Sequence, residues 1–206
     1  MKELTANYNV LNDLFSTPKI IGLVANTNEG KSNMIYYLLE ELNKKYNFKV
    51  YTYGLRCNVP KTLKFNSVAE LEQIKNSVIL IDELFSLFDV ENKRARRQIE
   101  NTLRLIFHNN NVLLLCGLGE GFKKFISAKL HTIIFKKVTF ADLINGSMVK
   151  NVVMGYQGEE KGSSILNLDV DESIIYDGLH YHKVKIPYME QYDSKRNNKP
   201  ILVKKC

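Results

Sequence analysis

The sequence has no tryptophan, four prolines and three cysteines in 206 residues. The cysteines (Cys57, Cys116 and Cys206) are odd in number and lack metal-ligand spacing, which argues against a disulfide framework and a structural zinc site. They are read as reduced thiols of a cytosolic protein. No apolar run approaches the roughly 20 residues that cross a bilayer. The opening Met1-Lys2-Glu3-Leu4-Thr5 lacks the apolar centre of a signal peptide, so no membrane partner is expected. Internal repeats are also missing, which excludes solenoids and propellers.

The composition that remains is that of an ordinary globular protein, 45% hydrophobic and 25% charged. The length suits one domain with a sizeable core. A net charge of +7 hints at a polyanionic partner and says nothing of the fold.

From residue 19 onward, strand and helix patterns alternate. Lys19–Val24, Phe48–Tyr53, Ser77–Asp82, "NVLLLCG" and "HTIIFKKV" read as strands. Helices are expected at Lys31–Tyr46, near Val68–Ile74, over roughly Glu83–His108 with a break near residues 89–92, and in "EGFKKFISAKL". Continuous apolar strands separated by helices imply a parallel sheet covered on both faces. The expected fold is therefore α/β, in three layers around a mainly parallel central sheet, with small C-terminal strands at its edge. The boundaries read as an arm at 1–18 with an amphipathic piece at Leu11–Phe15, a core at 19–140, strands completing the same domain at 141–192, and a basic tail at 193–206.

The first strand leaves through "ANTNEGKS" directly into a helix. Gly30-Lys31-Ser32 between a buried strand and a helix is the context of a phosphate-binding P-loop. Backbone N–H groups around such a turn form an anion nest, and the helix N-terminus adds partial positive charge. Lys31 supplies a full charge toward the β- and γ-phosphates, and the Ser32 hydroxyl can ligate Mg²⁺. Gly30 admits the phosphate without a Cβ clash. Asn26 and Asn28 tolerate left-handed backbone, so Asn26, Thr27, Asn28, Glu29, Gly30, Lys31 and Ser32 form the expected nucleotide cradle. Ala25 stands where the usual pattern has its first glycine.

"SVILIDE" closes an apolar strand with Asp82-Glu83, about 50 residues beyond Lys31. In this Walker B arrangement Asp82 holds the Mg²⁺ shell and Glu83 orients and deprotonates the attacking water. A cap on the following helix is the other role open to Asp82, and it does not exclude the first. A small-molecule kinase needs no such Glu and usually carries an Arg-rich lid. Six arginines and no obvious lid favour ATP hydrolysis coupled to motion. Four of them (Arg94, Arg96, Arg97 and Arg104) precede the next strand. At about 100° per residue, Ile99, Leu103, Ile106 and Phe107 share one helix face, and Lys93, Arg97, Arg104 and His108 share another. That face is either a solvated basic surface or the source of an arginine finger acting on a neighbouring subunit, with Arg104 first choice and Arg97 second. Arg56, just past the second strand, is placed to reach the nucleotide of its own subunit or a translocated substrate.

Together, "ANTNEGKS", "VILIDE" and "FHNNNVLLLCGLGEGFKKF" resemble the DNA-packaging ATPases of small tailed bacteriophages, within the additional-strand, catalytic-Glu branch that includes FtsK/HerA-like translocases. The resemblance covers about residues 18–140. It implies an ATP- and Mg²⁺-dependent motor in the host cytoplasm that drives double-stranded DNA into a procapsid. It also implies a homo-oligomeric ring, a pentamer by analogy, with a portal or packaging RNA as further partners. Two departures stand out. Cys116-Gly117-Leu118-Gly119 replaces the polar sensor at the end of the fourth strand of the family, leaving Glu120 as a substitute. The family's finger falls near His108, one turn beyond Arg104. No carboxylate cluster for metal-dependent cleavage is evident, so DNA cutting is not expected. DNA contact is assigned to Lys123 and Lys124, with Lys129, Lys136 and Lys137 near them in sequence. Without aromatic–basic interleaving, duplex is favoured over single-stranded DNA. The alternatives are an FtsK/HerA-like or secretion ATPase moving another polymer, and a non-hydrolysing nucleotide switch.

Overall fold

The computed structural model describes residues 13–26, 28–82, 87, 93–117, 122, 124–137 and 167–192. In chain order these form β1 (Lys19–Val24), α1 (Lys31–Lys45), β2 (Lys49–Tyr53), β3 (Thr62–Lys64), α2 (Val68–Gln73) and β4 (Ser77–Asp82). There follow α3 (Lys93–His108), β5 (Val112–Gly117), α4 (Lys124–Ser127), β6 (Thr132–Phe135), β7 (Glu172–Tyr176), β8 (Tyr181–Lys185) and a 3₁₀ turn at Glu190–Tyr192.

Among the described residues, eight strands make one sheet in the order β3-β2-β4-β5-β1-β6-β7-β8. Pairing is parallel from β3 through β6, and β7 and β8 are added antiparallel. The fold is thus α/β with a mainly parallel sheet. β5 lies between the strand that enters the phosphate loop and the strand that ends in Asp82, so an extra strand separates the two. The register carries Val24↔Gly117 and Asp82↔Cys116 across the same edge. The carboxyl ends of β1, β5 and β4 therefore finish level, and in open parallel sheets that edge holds the ligand.

Strand alternation sends Ile20 and Val24 to one face of the sheet and Ile21 and Leu23 to the other. On the first face Ile99, Leu103 and Ile106 of α3, Leu71 of α2 and Ile126 of α4 complete the core. On the second, Met34, Ile35, Leu38, Leu39 and Leu42 of α1 cover Leu80, Leu114, Ile134 and Ile175. The helical spacing read from the sequence is thus the packing face of each long helix.

Several details depart from the sequence pattern. β3 was not legible: three residues after Pro60 carry no apolar periodicity, and the strand exists because its backbone pairs with β2, Val50 opposite Thr62. The amphipathic piece of the arm, by contrast, behaves as read, with Leu14 and Phe15 buried in the α1-side core. Phe107 leaves the apolar stripe of α3, is 39% exposed and stacks on His131 at 5.3 Å. β7 is buried on both faces, because Ile174 and Ile175 sit in opposite cores. The segments "SMVKNVVMGYQ" and 193–206, and residues 83–86 and 88–92, lie outside the described residues.

Candidate nucleotide site

The turn after β1 is built from backbone conformations that ordinary residues avoid. Asn28 has φ 66° and Gly30 has φ 81°. A Cβ on Gly30 would lie 2.6 Å from the Val170 carbonyl oxygen, so glycine is required on steric as well as conformational grounds. Gly30 caps α1 with no side-chain hydrogen bond, and the first turn of the helix carries no acidic residue. The leading N–H groups of α1 thus remain open for an anion. The turn itself is closed by Glu29 N–H donating to the Asn26 carbonyl (3.3 Å) and Met34 N–H to that of Gly30 (3.0 Å).

Across the edge, the Lys31 ammonium donates to Asp82 Oδ1 in a close ion pair. The Asp82 side chain is 9% exposed and that of Lys31 19%. This contact spans the end of β5, joining the P-loop to the terminus of β4. The Asp82 carbonyl is packed by Gly54, whose φ is 79° and whose Cβ would come within 2.2 Å of that oxygen. The turn after β2 therefore sits directly on the acidic strand end.

That turn carries Arg56, which is exposed at the same edge. Its neighbour Cys57 is fixed by a hydrogen bond from its backbone N–H to Tyr36 Oη (3.1 Å) on α1. Burial pushes the Tyr36 phenol up to about 12, so it stays neutral at physiological pH. Cys116, at the place where a polar sensor is expected, is fully buried, and burial, reinforced by Asp82, pushes its thiol well above the ordinary cysteine range.

Lys31, Ser32, Asn26, Asn28, Glu29, Gly30 and Asp82 thus converge on one edge, and the Arg56 turn joins them. Thr27, Glu83, Glu120 and Lys123 lie outside the described residues. Lys124 opens α4. Arg97 and Arg104 are exposed on α3, whereas Arg96 pairs with Glu100 at 3.3 Å and lies over the Phe125 ring at 4.9 Å. α3 ends where Phe107 meets His131, whose Nδ1 accepts from Ile20 N–H at the start of β1. Arg104 therefore lies toward the sheet edge opposite the P-loop. One grouping must be corrected: Lys136 is not a surface lysine available to DNA, being fully buried.

Sequence reasoning missed the residues that hold the site from the C-terminal side. Asn33 of α1 donates to the Pro187 carbonyl (3.1 Å) and accepts from Met189 N–H (2.7 Å). Tyr192 stacks on Tyr36 at 4.4 Å. The only hint was an asparagine on the apolar side of a helix, which spacing alone cannot match to a partner over 150 residues away.

The phosphate loop, the level acid and the inserted strand define the class, an α/β P-loop NTPase fold. Solved structures share this fold. Over 84% of this chain and 99% of the other, it superposes on the DNA-packaging ATPase B204 of Sulfolobus Turreted Icosahedral Virus, with a TM-score of 0.60 at 14% identity. It also matches the genome packaging NTPase B204 of Sulfolobus turreted icosahedral virus 2, solved with ATP-gammaS, over 82% of this chain and 97% of that one (TM-score 0.57, 17% identity). The conjugation coupling protein TcpA of pCW3 is similar over 87% of this chain and 62% of its own (TM-score 0.58, 14% identity). No protein-family model matches the sequence, and no curated protein does.

Proposed function

We propose that this chain is an ATP-hydrolysing motor subunit that translocates double-stranded viral DNA into a procapsid as part of a homo-oligomeric ring. The observation that carries the reading is the Lys31–Asp82 ion pair beneath the uncapped N-terminus of α1. A buried acid and a loop lysine held against one another are the two partners that Mg²⁺ and a triphosphate would separate. Glycine at the point of closest approach and open N–H donors fit the phosphates, and Ser32 with Asp82 fits the metal. When bound, Mg²⁺ supplies Lewis-acid polarisation of the phosphoryl oxygens.

In this reading Lys31 is the group that binds the β- and γ-phosphates, and Asp82 with Ser32 would hold the metal. Glu83, the next residue, takes the proton of the attacking water. Arg56 contacts the nucleotide from the β2 turn. Arg104, or Arg97 in second place, acts in trans, consistent with a helix that runs away from its own phosphate loop. His108, where the family's finger falls by register, is the alternative to a shifted arginine. Lys123 and Lys124 grip DNA phosphates, and the ring stoichiometry and portal or RNA partner follow the packaging analogy.

The test is ATP turnover with duplex DNA, with and without procapsids, across a salt series. Duplex should stimulate hydrolysis, and stimulation should fall steeply as salt rises, because each neutralised phosphate releases counterions. Turnover indifferent to DNA at every salt concentration would discard the motor. The similarity to TcpA supports a second reading, an FtsK/HerA-like translocase of another polymer. ATP turnover that duplex DNA leaves unchanged would favour it over the packaging motor.

A further inference from the structure

Lys136 immediately follows β6 and is fully buried. Its Nζ donates to the carbonyls of Val170 and Glu172, both at 2.6 Å, and its backbone N–H to Val24 at the end of β1 (2.9 Å). Its Cε lies 3.1 Å from where a Cβ of Gly30 would stand, so the side chain runs directly behind the phosphate loop. Among the described residues it makes no ion pair. The acids facing it are engaged elsewhere, Glu172 by Lys183 at 2.9 Å and Asp171 by Lys185 at 3.1 Å, and Glu29 lies on the loop itself. A buried cation held only by neutral carbonyls is costly unless an anion compensates it.

We propose that Lys136 is a positioning residue for the phosphate loop, whose buried ammonium holds the turn at Gly30 to the β7 hairpin and supplies a second positive charge behind the seat of the nucleotide phosphates. The inference rests on the nucleotide reading of that loop. The triphosphate adds to the partial compensation that Asp171, Glu172 and Glu29 give, acting through Gly30 without touching Lys136. Burial, opposed by Asp171, Glu172 and Glu29, lowers the ammonium to about 8. Deprotonation there removes the charge yet leaves two N–H donors for the two carbonyls, so pH separates charge from hydrogen bonding.

The experiment is calorimetric binding of Mg²⁺–ATPγS to the full chain and to Lys136→Met and Lys136→Gln, at pH 7 and pH 9. Wild-type affinity should fall by up to about tenfold across that interval, since one pH unit beyond a pKa is worth a factor of ten. Both variants should bind more weakly at pH 7 and show no such fall. Should the variants not fold, wild-type titrations at pH 8 in two buffers of different ionisation enthalpy remain decisive, and net proton uptake on binding is expected. Equal affinities of wild type and variants, or wild-type binding without proton uptake, would overturn the proposal while leaving the nucleotide reading intact. Absence of wild-type binding at pH 7 would remove the reading itself.

Discussion

Asp82 is buried and Lys31 half-buried against it, and each is the other's compensation. Removing one charge strands the other, which costs several kcal/mol in buried pairs, whereas removing both costs less. Lys31→Met should therefore lower the melting temperature of the nucleotide-free protein, and Lys31→Met/Asp82→Asn should recover part of the loss while restoring no ATP binding. An additive double-mutant cycle would show that the two residues do not interact. Glu83 enters from the sequence alone. Glu83→Gln should keep ATP affinity and lose turnover by roughly 10²–10⁴, the usual worth of a general base. At Cys116, burial and a raised thiol pKa predict no alkylation in the folded state, against measurable labelling of the half-buried Cys57. Mass spectrometry of iodoacetamide-treated protein reads both. These residue types and spacings were legible in the sequence because phosphate and metal chemistry allows few substitutes. The position of Lys136 was not, because charge alone cannot tell a surface lysine from a buried one.

At the scale of elements, the long strands and helices followed from periodicity, since burying both faces of a parallel sheet demands continuous apolar strands. β3 escaped because a three-residue edge strand is defined by its partner. The turn after β2 shows how a loop becomes part of a site. Gly54→Ala must move either the turn or the Asp82 carbonyl, and φ of 79° adds backbone strain. It should destabilise the fold by more than about 1 kcal/mol and raise KM for ATP, measured by thermal unfolding and steady-state kinetics. α2 is shorter and rests on its cap. Ser67 Oγ accepts from Glu70 N–H at 3.2 Å, so Ser67→Ala should cost about 1 kcal/mol with activity unchanged.

Over the whole molecule, the C-terminal segment serves the site at the other end of the chain. Asn33 is bonded to Pro187 and Met189, and Gln191 donates to Glu40 at 2.7 Å. Tyr192 is stacked on the Tyr36 ring that fixes the Arg56 turn. α1 is thereby clamped from its phosphate end to its middle. Tyr192→Ala should lower stability by about 1–2 kcal/mol, the stacking term plus lost burial, and should weaken ATP binding although the residue contacts no nucleotide. Unaltered affinity in a correctly folded variant would limit the clamp to stability.

The sequence by itself determined the alternation of strands and helices, the phosphate turn and the acidic strand end, because each is a local pattern written in residue type and spacing. Tertiary structure alone decided that β5 inserts between β1 and β4, that Lys31 meets Asp82 across it, and that Lys136 turns inward behind Gly30. Those contacts join residues 50 to over 100 positions apart, and only chain topology and the competition for burial bring such groups together.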